Sequence, residues 1–287
     1  MRLAAVACAL ALAVGACGGN AGTGGSAGIR GGLPSEIRRS GVIRVGSDIE
    51  YPPLEFFAEG SSTPKGFDVD LGAALGKALD VRFEFVNFTD LEGLLPALKA
   101  GRFDIVMSGM TDTPERRKQG VAFVDYLMAG TSILVAKNNP RGVKTLDDLC
   151  GEVVVVQKDT EQDIHTIPLQ SGACRATGRP EVNVAVFESE ARVFEQLRTG
   201  RAVAALVDAV VAGYSAKTVG FGIEFDVVGG PVGAGMYGIG VAAENVALRD
   251  VLVRALSSLT ADGTYRRLLE RWGLTQAAIA APSVNGG

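Results

Sequence analysis

The chain of 287 residues is 47% apolar and 6% aromatic, with a formal charge of −4, enough for one large domain or two lobes of ordinary size. No basic stripe runs through it, which argues against nucleic acid as a partner. Its one histidine, His165, and its four cysteines without metal-ligand spacing exclude a zinc site, and no cofactor is implied.

Met1 and Arg2 precede the apolar stretch LAAVACALALAVGA, which is too short to span a bilayer and suits a secretory h-region. The junction AVGAC resembles the bacterial lipoprotein cleavage box. That resemblance implies a signal peptide over 1–16, cleavage before Cys17 and diacylglycerol on the Cys17 sulfur. Stable anchoring takes more than one acyl chain, which such a lipid supplies. Residues 17–39, rich in Gly and Ser, read as a flexible tether that lets a globular body move above a membrane.

From Ser40 on, β-type runs alternate with helical patterns. GVIRVG reads as a strand, and FDVDLGAALGKALD as an amphipathic helix with Val69, Leu71, Ala74, Leu75 and Leu79 on its apolar face. VRFEFVNF alternates like a half-buried strand, LEGLLPALKAG returns to helix and stops at Gly101, and FDIVMSG is strand again. Such alternation predicts an α/β sheet of mainly parallel strands.

That last strand runs straight into MTDTPERR. Thr113 can cap a helix starting at Pro114, whose absent N–H would be unpaired there anyway. The start of a helix is electropositive, and Arg116 in its first turn can grip a carboxylate with two parallel bonds. Donors crowded in this way suit an anion. Further on, Cys150 and Cys174 are expected to pair in an oxidising compartment, the alternative being two buried free thiols. An unstrained loop of about 25 residues makes such a bridge worth about 3 kcal/mol.

The pattern LLPALKAGRFDIVMSG returns as VFEQLRTGRAVAALVD: helix, Gly-Arg stop, apolar strand, polar strand end. One copy finishes in Ser108–Gly109 and the other in Asp208. Two lobes built alike would face each other with the carboxyl ends of their strands, where ligands sit in open α/β sheets. LMAGTSILVAKN carries the chain out of the first lobe, and VVGGPVGAGMYGIGVAA brings it back with glycines able to absorb a hinge rotation. The expected division is 40–130 with 230–287 for lobe 1 and 131–229 for lobe 2. The last helical stretch is broken into two helices at TADGTY.

RVGSDIEYPPLEF, GFDVDLGAAL, GLLPALKAGRFDIVMSGMTDTPERR, VDYLMAGTSILVAKN, TLDDLCGEVVVVQKDT, MYGIGVA and LTADGTYRRLLERWG follow one another in the order found in family 3 extracellular solute-binding proteins. The chain resembles these polar amino acid receptors of ABC importers over nearly all of its mature length. The resemblance implies a two-lobed periplasmic-binding fold of type II, with two parallel-rich sheets joined by two hinge strands. It also implies a monomeric, lipid-anchored, extracytoplasmic receptor that is not an enzyme and hands an amino acid to a permease.

In that family Arg116 and the Thr111 N–H hold the ligand α-carboxylate, with the Thr160 N–H reaching it from the second lobe. Asp208 accepts the α-ammonium, helped by the Gly109 carbonyl or the Ser108 side chain. Asp48 bonds the ligand side chain and Tyr51 flanks it. Phe88 or Leu91 stands where many relatives carry an aromatic residue. Lys158 and Asp159 replace small residues at the cleft rim, and Val203 replaces an acidic one.

Each role has a plainer competitor. Arg116 could be a solvated surface residue like its neighbour Arg117. Asp208 could cap the helix AVVAGY and Thr160 the helix TEQDIH; Asp48 and Tyr51 could form a turn before Pro52–Pro53. His165 reads as a helix-surface residue. The rival function is a cyclohexadienyl dehydratase on the same fold, which also needs an anion grip. It further requires a poised general acid, for which Glu190 and Asp159 are candidates. A receptor sensor domain is the weaker rival, since no membrane helix or signalling domain follows Trp272 in the sequence.

Overall fold

Leu33 and Ile37 stand four residues apart and both need a core to enter. They find one: they are 2% and 5% exposed, and Ser35–Ser40 forms helix α1, closed by Gly41 in a left-handed conformation (φ 67°). The tether expected over 17–39 therefore ends earlier, because its last residues fold onto the body. The computed structural model describes residues 29–286. The expected leader, Cys17 and the glycine-rich start of the tether lie outside the described residues.

The first lobe opens with β1 (Val42–Ser47) and a small antiparallel sheet of β2 (Glu50–Tyr51), β3 (Glu55–Phe57) and β4 (Pro64–Lys65). Helix α2 (Phe67–Leu79) follows, then β5 (Arg82–Asn87), α3 (Leu91–Lys99), β6 (Ile105–Val106) and the short α4 (Pro114–Lys118). Strand β1 pairs in parallel with both β5 and β6. On α2 the buried row is Phe67, Leu71, Leu75 and Leu79, at the four-residue spacing one helix face requires. Val69 and Ala74 are only half-buried, since they flank that row.

Strand β7 (Val121–Ala136) leads into the second lobe, which holds β8 (Val153–Gln157), a turn of π-helix at Gln162–Thr166, α5 (Ile167–Ala176) and β9 (Asn183–Phe187). It continues with α6 (Glu190–Arg198), β10 (Ala204–Asp208) and α7 (Ala209–Thr218). Strand β11 (Phe225–Ala242) returns the chain, and α8 (Val246–Ala261) and α9 (Thr264–Trp272) complete the first lobe. The break between the last two falls at Gly263 (φ 77°), inside TADGTY as the sequence predicts. Cys150 and Cys174 form a disulfide, with Cα atoms 5.6 Å apart.

The large sheet runs β5-β1-β6-β11-β7-β10-β8-β9. Its two parallel-rich ends are joined through β7 and β11, which pair antiparallel along most of their length and belong to both halves. Their register shifts between Val228 and Gly235, where Gly and Pro interrupt the ladder. This is the stretch the sequence marks as a hinge.

The last described residues, 283–286, lie against β7. Val124 bridges Val284, Asn285 exchanges bonds with the Phe123 backbone, and the buried Asp125 carboxylate accepts from the Ser283 hydroxyl (2.7 Å) and the Gly286 N–H (2.9 Å).

Candidate functional site

Polar residues at the carboxyl ends of β1, β6, β8 and β10 converge on one narrow cavity between the lobes. Its wall includes Asp48, Tyr51, Leu91, Ser108, Gly109, Thr111, Arg116, Thr160 and Asp208, all expected from the sequence. It opens into a wider cleft beside the hinge strands, sharing Thr111, Glu161, Gln162 and Asp208 with it.

The anion-type corner is built locally. Thr113 caps α4, its hydroxyl accepting from the Arg116 N–H at 3.2 Å, with Pro114 in the first turn. The backbone before it is held to β11 by Asp112 N–H to the Met236 carbonyl and Gly238 N–H to the Met110 carbonyl. In such an antiparallel bridge the intervening residue turns its own N–H and C=O the other way. The Thr111 carbonyl accordingly accepts from Arg116 Nη1 at 2.8 Å, and its N–H lies on that same side.

Arg116 Nη2 donates to the Asp159 carbonyl of the opposite lobe at 3.2 Å. No carboxylate lies within 4 Å of this guanidinium among the described residues. Burial lowers its pKa against the pull of Glu161 and Asp208. Its guanidinium is desolvated, whereas Arg117 stays at the surface, a third exposed, with its fork on the buried Asp112 at 2.5 and 3.0 Å.

Asp208 does not use its side chain to cap α7. Its carboxylate instead accepts from the Tyr51 hydroxyl of the first lobe (2.5 Å) and from Gln162 Nε2 (2.7 Å). Burial still raises its pKa, although these donors and the Arg116 charge oppose the shift. The Tyr237 hydroxyl lies close enough to favour the charged form, but makes no well-formed hydrogen bond.

At the other end, Asp48 Oδ2 accepts from Gln157 Nε2 of the second lobe at 3.3 Å, while Oδ1 is buried without a partner. Burial, with help from Glu50, pushes this carboxyl up to about 7.

The floor is set from behind. Ser108 Oγ accepts from the Asp48 N–H and donates to Glu55 Oε1, both at 2.9 Å, so its proton is turned away from the cavity. Gly109 adopts φ +50°, and a Cβ there would stand 2.7 Å from the Leu54 side chain, so only glycine fits. Its N–H donates to Asp68 Oδ2, which also accepts from Tyr126. Thr160 Oγ1 donates to the Gln157 carbonyl and accepts a long bond from the Asp163 N–H, close to the expected cap.

Phe88 does not line the cavity. Its ring packs edge-on against Phe103 at 5.6 Å with the Arg102 guanidinium over it, partners that an apolar residue preceding α3 cannot be seen to have from its neighbours in sequence. Leu91 takes the wall instead. Lys158 points to the rim, 3.7 Å from Glu188 and 3.8 Å from Asp159, and His165 is a half-exposed helix residue near Glu161. Sequence reasoning missed Met110, Gln157, Glu161 and Gln162 as wall residues. Gln157 carried a usable signal, a polar residue closing the apolar run VVVV, as Asp208 closes AALV.

Several buried carboxyls here have folded pKa values above their unfolded ones: Asp68 at about 6, Asp48 at about 7 and Glu190 at about 8, burial being the first cause in each. A raised acid favours the fold fully below its unfolded pKa and loses that contribution as pH rises through the folded value. The ligand-free protein should therefore melt at lower temperature at about pH 8 than at about pH 5. A scan of melting temperature against pH that stayed flat or rose over this window would contradict the burial of these groups.

The family model for bacterial extracellular solute-binding proteins, family 3, matches residues 43–275. A histidine-binding periplasmic protein of Escherichia coli (strain K12) is 32% identical over 241 residues, covering 80% of this chain and 86% of the relative. Among solved structures, an ancestral arginine-binding protein bound to arginine is 35% identical with a TM-score of 0.71, covering 81% of this chain and 98% of the other. An ancestral amino acid-binding protein described as a precursor of cyclohexadienyl dehydratase is 36% identical with a TM-score of 0.68, covering 83% and 97%.

Proposed function

The chain belongs to the bacterial extracellular solute-binding proteins, family 3, and from that premise we propose that it is a lipid-anchored, monomeric receptor that closes two lobes on a polar amino acid and delivers it to an ABC permease. The observation that carries this reading is the desolvated guanidinium of the half-buried Arg116, without a carboxylate partner among the described residues, lining the same cavity as the buried carboxylate of Asp208. A zwitterion supplies both missing charges, and each needs a partner once water is excluded. Arg116 uses two of its five donors on backbone carbonyls, which leaves a fork for the α-carboxylate. The Thr111 and Thr160 N–H groups would assist it.

The α-ammonium would take Asp208 and either the Gly109 carbonyl or the Ser108 Oγ, which sends its proton to Glu55 and keeps a lone pair free. Asp48, Tyr51 and Leu91 would meet the side chain. Lobe boundaries near 130/131 and 229/230 are supported by the register shifts of β11 and by the pairing of Thr131 with Val232. Relatives that are periplasmic by name support an extracytoplasmic place of action. Membrane attachment rests on the sequence around Cys17 and is decided by whether Cys17→Ser releases the protein from membranes.

A thermal-shift screen of the twenty amino acids tests the function. Ligands that bind only the folded state raise its melting temperature, and a screen in which none does would remove the receptor reading. One observation favours a second reading, a cyclohexadienyl dehydratase: Glu190 is buried near the cavity and pushed up to about 8, as a general acid at neutral pH must be. Turnover of prephenate or arogenate would establish it, and no turnover would remove it.

A further inference from the structure

We propose that the ligand carries a cationic side chain, guanidinium or ammonium, and that Glu190 is a specificity-determining residue that receives this charge together with Asp48. The inference rests on the amino acid reading above and narrows it to one class of ligand for the same cavity.

Charge bookkeeping comes first. Around the cavity the half-buried Arg116, its guanidinium desolvated, is the one cation lining the wall among the described residues, against the buried carboxyls of Asp48, Asp208 and Glu190, which are 5%, 7% and 3% exposed. A zwitterion satisfies Arg116 and Asp208 and leaves Asp48 and Glu190 without a cation, so that burial holds them towards their protonated forms until a positive group enters. The rim does not supply the difference, because Lys158 is half-exposed and held between Glu188 and Asp159.

Hydrogen bonding points the same way. Three buried oxygens have no partner at this end: Asp48 Oδ1, Gln157 Oε1 and Glu190 Oε1. The Gln157 amide links Asp48 to the turn that leads into Glu190, its Nε2 donating to Asp48 Oδ2 at 3.3 Å and to the Glu188 carbonyl at 3.4 Å. Helix α6, which Glu190 begins, packs against β2, the strand that carries Tyr51. Glu190 is close enough to Tyr51, Asp48 and Asp208 for the charges to act on one another.

These three oxygens can all accept once the two carboxyls give up their protons. A guanidinium brings up to five donors and no acceptor, and an ammonium brings three. A carboxamide would instead add an acceptor oxygen where the amide donor is already engaged, and a carboxylate would add a third negative charge.

Calorimetric titration with arginine and with citrulline, its neutral near-isostere, separates the possibilities. Wild type should bind arginine about a hundredfold more tightly than citrulline, the scale of a buried charge pair. Glu190→Gln should shrink that ratio roughly tenfold, with a melting curve confirming the fold; Glu190→Met serves where the glutamine variant does not fold. Equal binding of arginine and citrulline by wild type overturns the ligand class, and an unchanged ratio in the variants overturns the role of Glu190. If no α-amino acid binds at all, the receptor reading itself fails.

Discussion

Arg116→Ala should weaken amino acid binding by at least about thirty-fold, the lower end of the roughly 2–5 kcal/mol lost when one partner of a buried charge pair is removed. The side chain does two things at once. It offers the cavity its buried positive charge, and it joins the Thr111 carbonyl of one lobe to the Asp159 carbonyl of the other. Truncation would leave a ligand carboxylate desolvated without a counter-charge and remove a bond across the closed cleft. Arg116→Lys should recover only part of the loss. An ammonium is a point charge with three donors, and it cannot span two carbonyls while presenting a planar fork to a carboxylate. Calorimetry with the tightest ligand from the screen decides the matter; wild-type affinity in Arg116→Ala would end the assignment of this corner.

Asp208→Asn is expected to cost a similar factor, at least about thirty-fold, by a different route. The carboxylate is surrounded by donors, with Tyr51 on one oxygen and Gln162 on the other. An amide has the same shape, but its NH2 would face one of those donors and its charge is gone. The control that isolates the ammonium is a ligand analogue with an α-hydroxyl in place of the α-amine. Wild type should reject the analogue strongly, and Asp208→Asn should discriminate far less. If the variant kept the full discrimination, the ammonium partner would have to be sought elsewhere. Tyr51→Phe leaves the charge in place and should cost about 1.5–3 kcal/mol, the worth of a hydrogen bond to a charged group.

What the sequence made legible follows from how local each feature is. The α4 corner was readable because Thr113, Pro114 and Arg116 act within one turn, where capping and the missing proline N–H leave few alternatives. The strand ends were readable because a polar residue closing an apolar run has few places to go. Asp208 was ambiguous for the opposite reason: its position is that of a cap, and only tertiary partners 157 and 46 residues away show that its carboxylate is used otherwise. The surface position of Arg117 was readable, but its partner was not, because the buried Asp112 it clamps looks like an ordinary loop acid. Glu190 could be noticed but not weighed, since nothing in SEAR announces burial. Leu33 and Ile37, spaced like one helix face, were the missed sign that the tether stops short.

The segment 283–286 has a practical consequence for anyone wishing to turn this solute-binding protein into a sensor. Ser283 to Gly286 lie along β7 and are gathered by Asp125, which shares its surroundings with the Asp112 that clamps Arg117, next door to Arg116. A fluorescent protein or affinity label joined at this end would tug on a strand only a few side chains from the anion corner. Readings from such a fusion would mix the pull of the label with the response to ligand. An exposed turn of the second lobe is the better point of attachment.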